Sequence, residues 1–129
     1  MATTTFNRAL AHLPVRNLLE TLNYYKDDLG FSDDWTFGDK DGGVRRDDMR
    51  LLFFENPDHV GLINSDGNRL PVLWFVENID EIFYELKERK IKIEDPLREH
   101  AYGLREFAFI DINGYYVRVA ESKPKPDQV

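Results

Sequence analysis

The sequence predicts an α+β fold of two β-α-β-β-β modules. Two observations carry that expectation. First, Val15-Arg16-Asn17-Leu18-Leu19-Glu20 recurs 61 residues later as Val76-Glu77-Asn78-Ile79-Asp80-Glu81. Each copy ends an apolar run and opens an amphipathic one, and an internal repeat of this kind sets the architecture. Second, each amphipathic stretch is followed by short apolar runs separated by Gly, Asn and Asp, the pattern of strands joined by turns.

Asn17 and Asn78 stand where a helix N-cap side chain accepts a hydrogen bond from a free backbone N–H. Glu20 and Glu81, three residues on, can reach back as in a capping box. Residues 8–16 alternate loosely and read as a strand. Leu18, Leu19, Leu22, Tyr25 and Leu29 then form one helical stripe that ends at Gly30. A strand over 31–37, a turn at Lys40-Asp41-Gly42-Gly43, a strand over 44–46, an Asp47-Asp48 turn and an apolar strand over 49–55 complete the first module.

Residues 57–69 contain Pro57, Gly61 and Asp66-Gly67-Asn68 and read as a turn-rich linker. The second module opens with a strand over 71–76 and a helix over about 79–90, with Ile79, Ile82, Phe83 and Leu86 at helical spacing. A brief strand at 91–93 and a charged loop over 94–103 follow. Strands over 105–111 and 115–121 are joined at Asn113-Gly114, which predicts a type I′ hairpin with positive φ at both residues. The expected organisation is one domain over 1–129, with modules at about 8–56 and 70–121, the linker at 57–69 and a frayed tail at 122–129.

Composition narrows the function. Asp and Glu number 24 against 17 Lys and Arg, a net charge of −7. This disfavours a nucleic-acid backbone as partner and favours a cationic ligand. Cysteine is absent, which excludes thiolate chemistry and suits a reducing cytoplasm. No apolar run reaches the ~18 residues needed to cross a bilayer. The opening Met1-Ala2-Thr3-Thr4-Thr5 lacks the charged and apolar regions of a signal peptide. A soluble cytoplasmic protein without membrane contact is expected.

Several stretches resemble the glyoxalase/bleomycin-resistance/dioxygenase (vicinal oxygen chelate) superfamily, and within it the bleomycin-resistance branch. They are Leu13-Pro14-Val15-Arg16-Asn17, Tyr24-Tyr25 with Leu29-Gly30-Phe31, Gly43-Val44-Arg45-Arg46-Asp47-Asp48, Tyr102-Gly103-Leu104-Arg105-Glu106-Phe107 and Asp111-Ile112-Asn113-Gly114. The resemblance covers about residues 8–121. It implies a cupped mixed sheet around a cavity and a two-fold dimer.

Many members of that family hold a divalent metal through His and Glu from four strands. The matching positions here are Leu10, Pro71, Arg118 and the run Met49 to Phe54, which contains neither His nor Glu. None of these supplies a suitable lone pair. His12 is a weak metal candidate, since alternation puts it on the face of Leu10. His59 and His100 fall in predicted loops and are expected to be solvated. No Cys nucleophile, G-x-S-x-G element or phosphate loop is present.

The expected function is therefore metal-free and cofactor-free sequestration of a cationic or aromatic small molecule, such as a bleomycin-like antibiotic, at a groove of a homodimer. The resemblance places Asp34 and Trp35 in that groove and matches Tyr102-Gly103 to the family's Trp-Gly. Phe37 and Phe54 are further lining candidates. Trp35 also alternates with Phe31 and Phe37 along a strand, which core packing alone would explain. Trp74 lies among apolar neighbours and is expected to be core. The alternatives are a metal-dependent lyase, isomerase or dioxygenase with an atypical site around His12, and a domain whose cavity has closed.

Overall fold

Val15 and Val76 both end an edge strand that pairs in parallel with the last strand of its own module. The computed structural model describes residues 3–122. The expected tail lies almost wholly outside them. Within these residues the chain forms two compact units, divided between Pro57 and Asp58.

The first unit runs β1 (His12–Val15), α1 (Leu18–Asn23), β2 (Ser32–Phe37), β3 (Asp41–Arg46) and β4 (Met49–Glu55). Its four-stranded sheet has the order β1-β4-β3-β2, with β1 parallel to β4 and the other pairs antiparallel. The second unit contains β5 (Pro71–Val76), α3 (Ile79–Glu88), β6 (Ile93–Glu99), β7 (Arg105–Ile110) and β8 (Tyr116–Glu121). Its sheet, β5-β8-β7-β6, repeats the same pairing pattern. The repeat extends to the strand ends: the Asn56 N–H donates to the Val15 carbonyl and the Ser122 N–H to that of Val76. The expected α+β fold of two β-α-β-β-β modules is the fold observed.

In each unit the helix covers one sheet face and makes the core there. Val15, Leu18, Leu22, Tyr25, Leu29, Val44 and Phe53 are buried in the first. The Tyr25 ring lies 5.1 Å from Phe53 and 5.6 Å from Phe31. In the second unit Trp74, Leu86, Phe107, Phe109, Val117 and Val119 are buried, and Trp74 packs edge-on against Phe109. Trp74 is thus core, as expected.

The two strand-to-helix junctions differ in detail. Asn17 caps α1 as predicted, its Oδ1 accepting from the Glu20 N–H at 2.9 Å. Asn78 takes a left-handed conformation (φ 58°), its side chain makes no cap bond, and its carbonyl accepts from Glu81 and Ile82 instead. Asn tolerates that region better than most residues. Helix α1 continues as a π-helical turn, Tyr24–Asp28, and ends at Gly30 with φ 78°.

The structure departs from expectation at four other places. Gly42 and Gly43 lie inside β3, and the turn is at 38–40. The supposed loop over 94–103 is mostly strand β6, which passes through Pro96. Proline is tolerated there because β6 is an edge strand with two register irregularities. The stretch 57–69 contains a short helix, α2 (Pro57–Ile63). Finally, the hairpin at Asn113-Gly114 is not type I′: Gly114 has φ 86° but Asn113 does not have positive φ. The Gly114 N–H donates to the Asp111 carbonyl, and the Asp111 carboxylate accepts from the N–H groups of Asn113 and Tyr115 at 2.9 Å each. This three-residue loop closes on a left-handed glycine, and the Asp111 side chain organises it.

Candidate functional site

The sheet faces not used by α1 and α3 carry the candidate residues. In the first unit, register places His12 beside Leu52 and Gly43, and Pro14 beside Phe54 and Asp41. Trp35 pairs with Gly43 and Phe37 with Asp41, so their side chains share this face. Asp34 joins them although it is adjacent to Trp35. The β2–β3 register slips between Asp33 and Trp35, and the bulge brings consecutive residues to one side. Four sequence-predicted residues, Asp34, Trp35, Phe37 and Phe54, thus meet on one face.

Each is held differently. The Asp34 carboxylate accepts from Arg50 Nε at 2.6 Å and is largely shielded. The Trp35 indole lies over Gly43, where a Cβ would come within 2.9 Å of its Nε1. Phe37 is 76% exposed, so its ring is open to solvent on this face. Phe54 is half-buried and its ring centroid lies 4.9 Å from that of His12.

His12 Nε2 lies 3.0 Å from Asp41 Oδ1 and 3.2 Å from the Phe53 carbonyl oxygen. Both partners are acceptors, so Nε2 carries the proton. Glu55 does not join it. Its carboxylate is on the helix side, where it accepts from the Leu18 N–H and from Lys40. The Lys40 contact, followed by the Leu18 N–H, lowers the Glu55 pKa. Among the described residues no group of three or more His, Asp or Glu side chains comes together in a way that could hold a metal ion.

In the second unit, Tyr102 and Gly103 sit in the loop between β6 and β7. The His100 N–H donates to the Leu104 carbonyl and the Gly103 N–H to that of His100, and Gly103 has φ 94°. The Tyr102 ring is 53% exposed and lies over the His100 imidazole, with centroids 5.6 Å apart. His100 is not the solvated loop residue expected: it is half-buried, and its Nε2 is shielded with no hydrogen-bond partner among the described residues. His59 is exposed on α2.

Arg105 and Glu106, adjacent on β7, serve opposite faces. Arg105 forms a two-pronged pair with Asp80 at the start of α3, both contacts 2.9 Å, and this pair lowers the Asp80 pKa. Glu106 is buried on the other face, where it accepts from Arg118 Nε at 2.6 Å and Nη2 at 2.9 Å. Arg118 Nη2 also donates to the Tyr102 hydroxyl oxygen at 3.2 Å. Arg50, Asp41, Arg118 and Glu106 were not among the sequence candidates. Their partners lie across strands, so only the register reveals them.

The family model for the Glyoxalase/Bleomycin resistance protein/Dioxygenase superfamily matches residues 5–119. No curated protein sequence matches. Among solved structures, the chain is similar to a bleomycin resistance determinant encoded on the transposon Tn5, with TM-score 0.78 and 19% identity over 92% of this chain and 100% of that one. A bleomycin-binding protein complexed with bleomycin gives the same values. The bleomycin-binding protein of bleomycin-producing Streptomyces verticillus, complexed with copper(II)-bleomycin, has TM-score 0.76 and 22% identity over 94% of this chain and 100% of that one. At these identities the likeness is one of fold. With the family model spanning nearly its whole length, the chain belongs to the glyoxalase/bleomycin resistance protein/dioxygenase superfamily.

Proposed function

We propose that this chain is a cytoplasmic, homodimeric binding protein of the bleomycin-resistance type. It sequesters a cationic, aromatic small molecule at a groove of the dimer, with no cofactor and no chemical step. The observation that carries the reading is the shared face of Asp34, Trp35, Phe37 and Phe54. Flat aromatic faces stack on planar heterocycles and attract cations. Carboxylates on the same face offset the ligand's charge. Asp34 is held by the Arg50 guanidinium and only 13% exposed, whereas Asp41, paired with the His12 imidazole, is 34% exposed and is the carboxylate better placed to meet a cation. Tyr102 and Gly103 supply a second aromatic surface in this reading. The net charge of −7 favours encounter with a cation.

The test is a titration with a bleomycin-group antibiotic, followed by tryptophan fluorescence and calorimetry, with the oligomeric state measured by sedimentation. Saturable quenching at one ligand per subunit, lost in Trp35→Ala, is the expected result. No response at high micromolar ligand would discard the antibiotic as the ligand class.

A further inference from the structure

On the face of the second sheet opposite α3, an arginine is fixed in place but only partly used. Arg118 spends Nε and Nη2 on Glu106 and Tyr102. Its Nη1 has no hydrogen-bond partner among the described residues, and the side chain is 34% exposed. Tyr102 uses its oxygen to accept from Arg118, so its own O–H remains available to donate. Two donors thus stand side by side, and the buried Glu106 carboxylate holds the guanidinium in orientation.

The surroundings choose the acceptor. Register puts Leu73 beside Arg118 and Phe75 beside Ala120, with Leu73 44% and Phe75 54% exposed. Ala108 and Ala120 are small and buried, leaving a low floor between these side chains. The positive charge of Arg118 is already neutralised by Glu106. Burial, followed by the negative charges of Asp95 and Glu94 nearby, raises the Tyr116 pKa. Asp95 itself is engaged by Arg98. The patch therefore offers hydrogen-bond donors and apolar surface without net positive charge.

We propose that Arg118 and Tyr102 form a donor site for an uncharged oxygen acceptor on a planar ligand, an aromatic carboxamide or ring carbonyl, and that Glu106 sets the preference for neutral over anionic acceptors. The proposal deepens the binding reading above and rests on it for the kind of ligand. It uses no cation, so the two can fail separately.

The test compares benzamide with benzoate, probes of nearly equal shape, by amide chemical-shift titration of the full chain. Benzamide should give saturable shifts at Tyr102, Arg118 and Ala120, and benzoate should bind at least about tenfold more weakly, a difference of about 1.4 kcal/mol. Arg118→Met should abolish the benzamide shifts. Glu106→Gln keeps an acceptor for the guanidinium but removes its counter-charge, and should invert the preference toward benzoate. Tyr102→Phe, which does not touch the Glu106–Arg118 pair, should weaken benzamide several-fold with an unchanged melting temperature; it keeps the idea testable should Glu106→Gln fail to fold. Equal binding of the two probes, no benzamide binding at tens of millimolar, or benzamide shifts that survive Arg118→Met would each overturn the proposal. A missing bleomycin response beside a normal benzamide response would sink the antibiotic reading alone.

Discussion

The Trp35 indole occupies the space that a side chain on Gly43 would need. A Cβ at Gly43 would stand 2.9 Å from Trp35 Nε1 and 2.7 Å from the Leu51 carbonyl oxygen. The second contact is to strand backbone, which cannot move cheaply. Gly43→Ala should therefore destabilise the protein by about 1–3 kcal/mol, the usual cost of overpacking. It should also displace the indole and shift its fluorescence. Thermal melting and emission spectra check both. An unchanged spectrum would mean that the ring is not seated on Gly43.

The repeated junction predicts an asymmetric response. Asn17→Ala removes a cap bond and should cost about 1 kcal/mol. Asn78 makes no cap bond and holds φ 58°, so Asn78→Gly should be neutral or slightly stabilising. Asn78→Ala should be destabilising for its backbone alone. Equal losses for Asn17→Ala and Asn78→Gly in urea denaturation would contradict the two conformations.

Much of the fold is legible in the residues because apolar clustering marks it. Strands β4 and β5 read directly from Met49–Glu55 and Pro71–Val76. Strand β6 does not, because Pro96 and its charged neighbours mimic a loop, and only an edge position makes them acceptable. Gly42-Gly43 illustrates the same ambiguity: glycine marks a turn or a close approach, and sequence does not say which. The site is legible in part. Asp34 and Trp35 come from the family resemblance, whereas strand alternation groups Trp35 with the buried Phe31 as well as with Phe37, and the shared face of Asp34 and Trp35 depends on a bulge. The Glu106–Arg118–Tyr102 chain depends on register and loop path, which residue type alone does not encode.

Acid and base limbs of the stability profile should have separable origins. Glu55 and Asp80 have depressed pKa values, through Lys40 and Arg105 respectively. A depressed carboxylate adds stability that is present above its unfolded value and lost as pH falls through the folded one. That loss lies below about pH 4. Glu55→Gln and Asp80→Asn should flatten this limb. Burial, the leading cause, followed by Asp111, pushes the Tyr115 phenol up. Its contribution is intact below about pH 10 and lost as pH rises toward the folded value. Tyr115→Phe should flatten the alkaline limb and leave the acid limb unchanged. Melting temperatures across pH in constant salt would show it.

Asn64 ties the approach to β5 to the β7–β8 turn through two bonds, and its side chain is buried. Its Nδ2 donates to the Asn113 carbonyl at 3.1 Å, and its Oδ1 accepts from the Leu70 N–H at 2.8 Å. Arg69 Nη1 adds a bond to the Gly114 carbonyl at 3.0 Å. Asn64→Ala would leave a buried donor and a buried acceptor unmatched, which should cost roughly 2–4 kcal/mol. Asn64→Asp keeps the acceptor for Leu70 but loses the donor, and should fall between the two. The local signature is faster amide exchange at Leu70 in Asn64→Ala than in Asn64→Asp, since only the first loses that acceptor. A stability change under about 0.5 kcal/mol, the range of ordinary surface substitutions, would show that water replaces both bonds and that Asp111 and Arg69 hold the turn without Asn64.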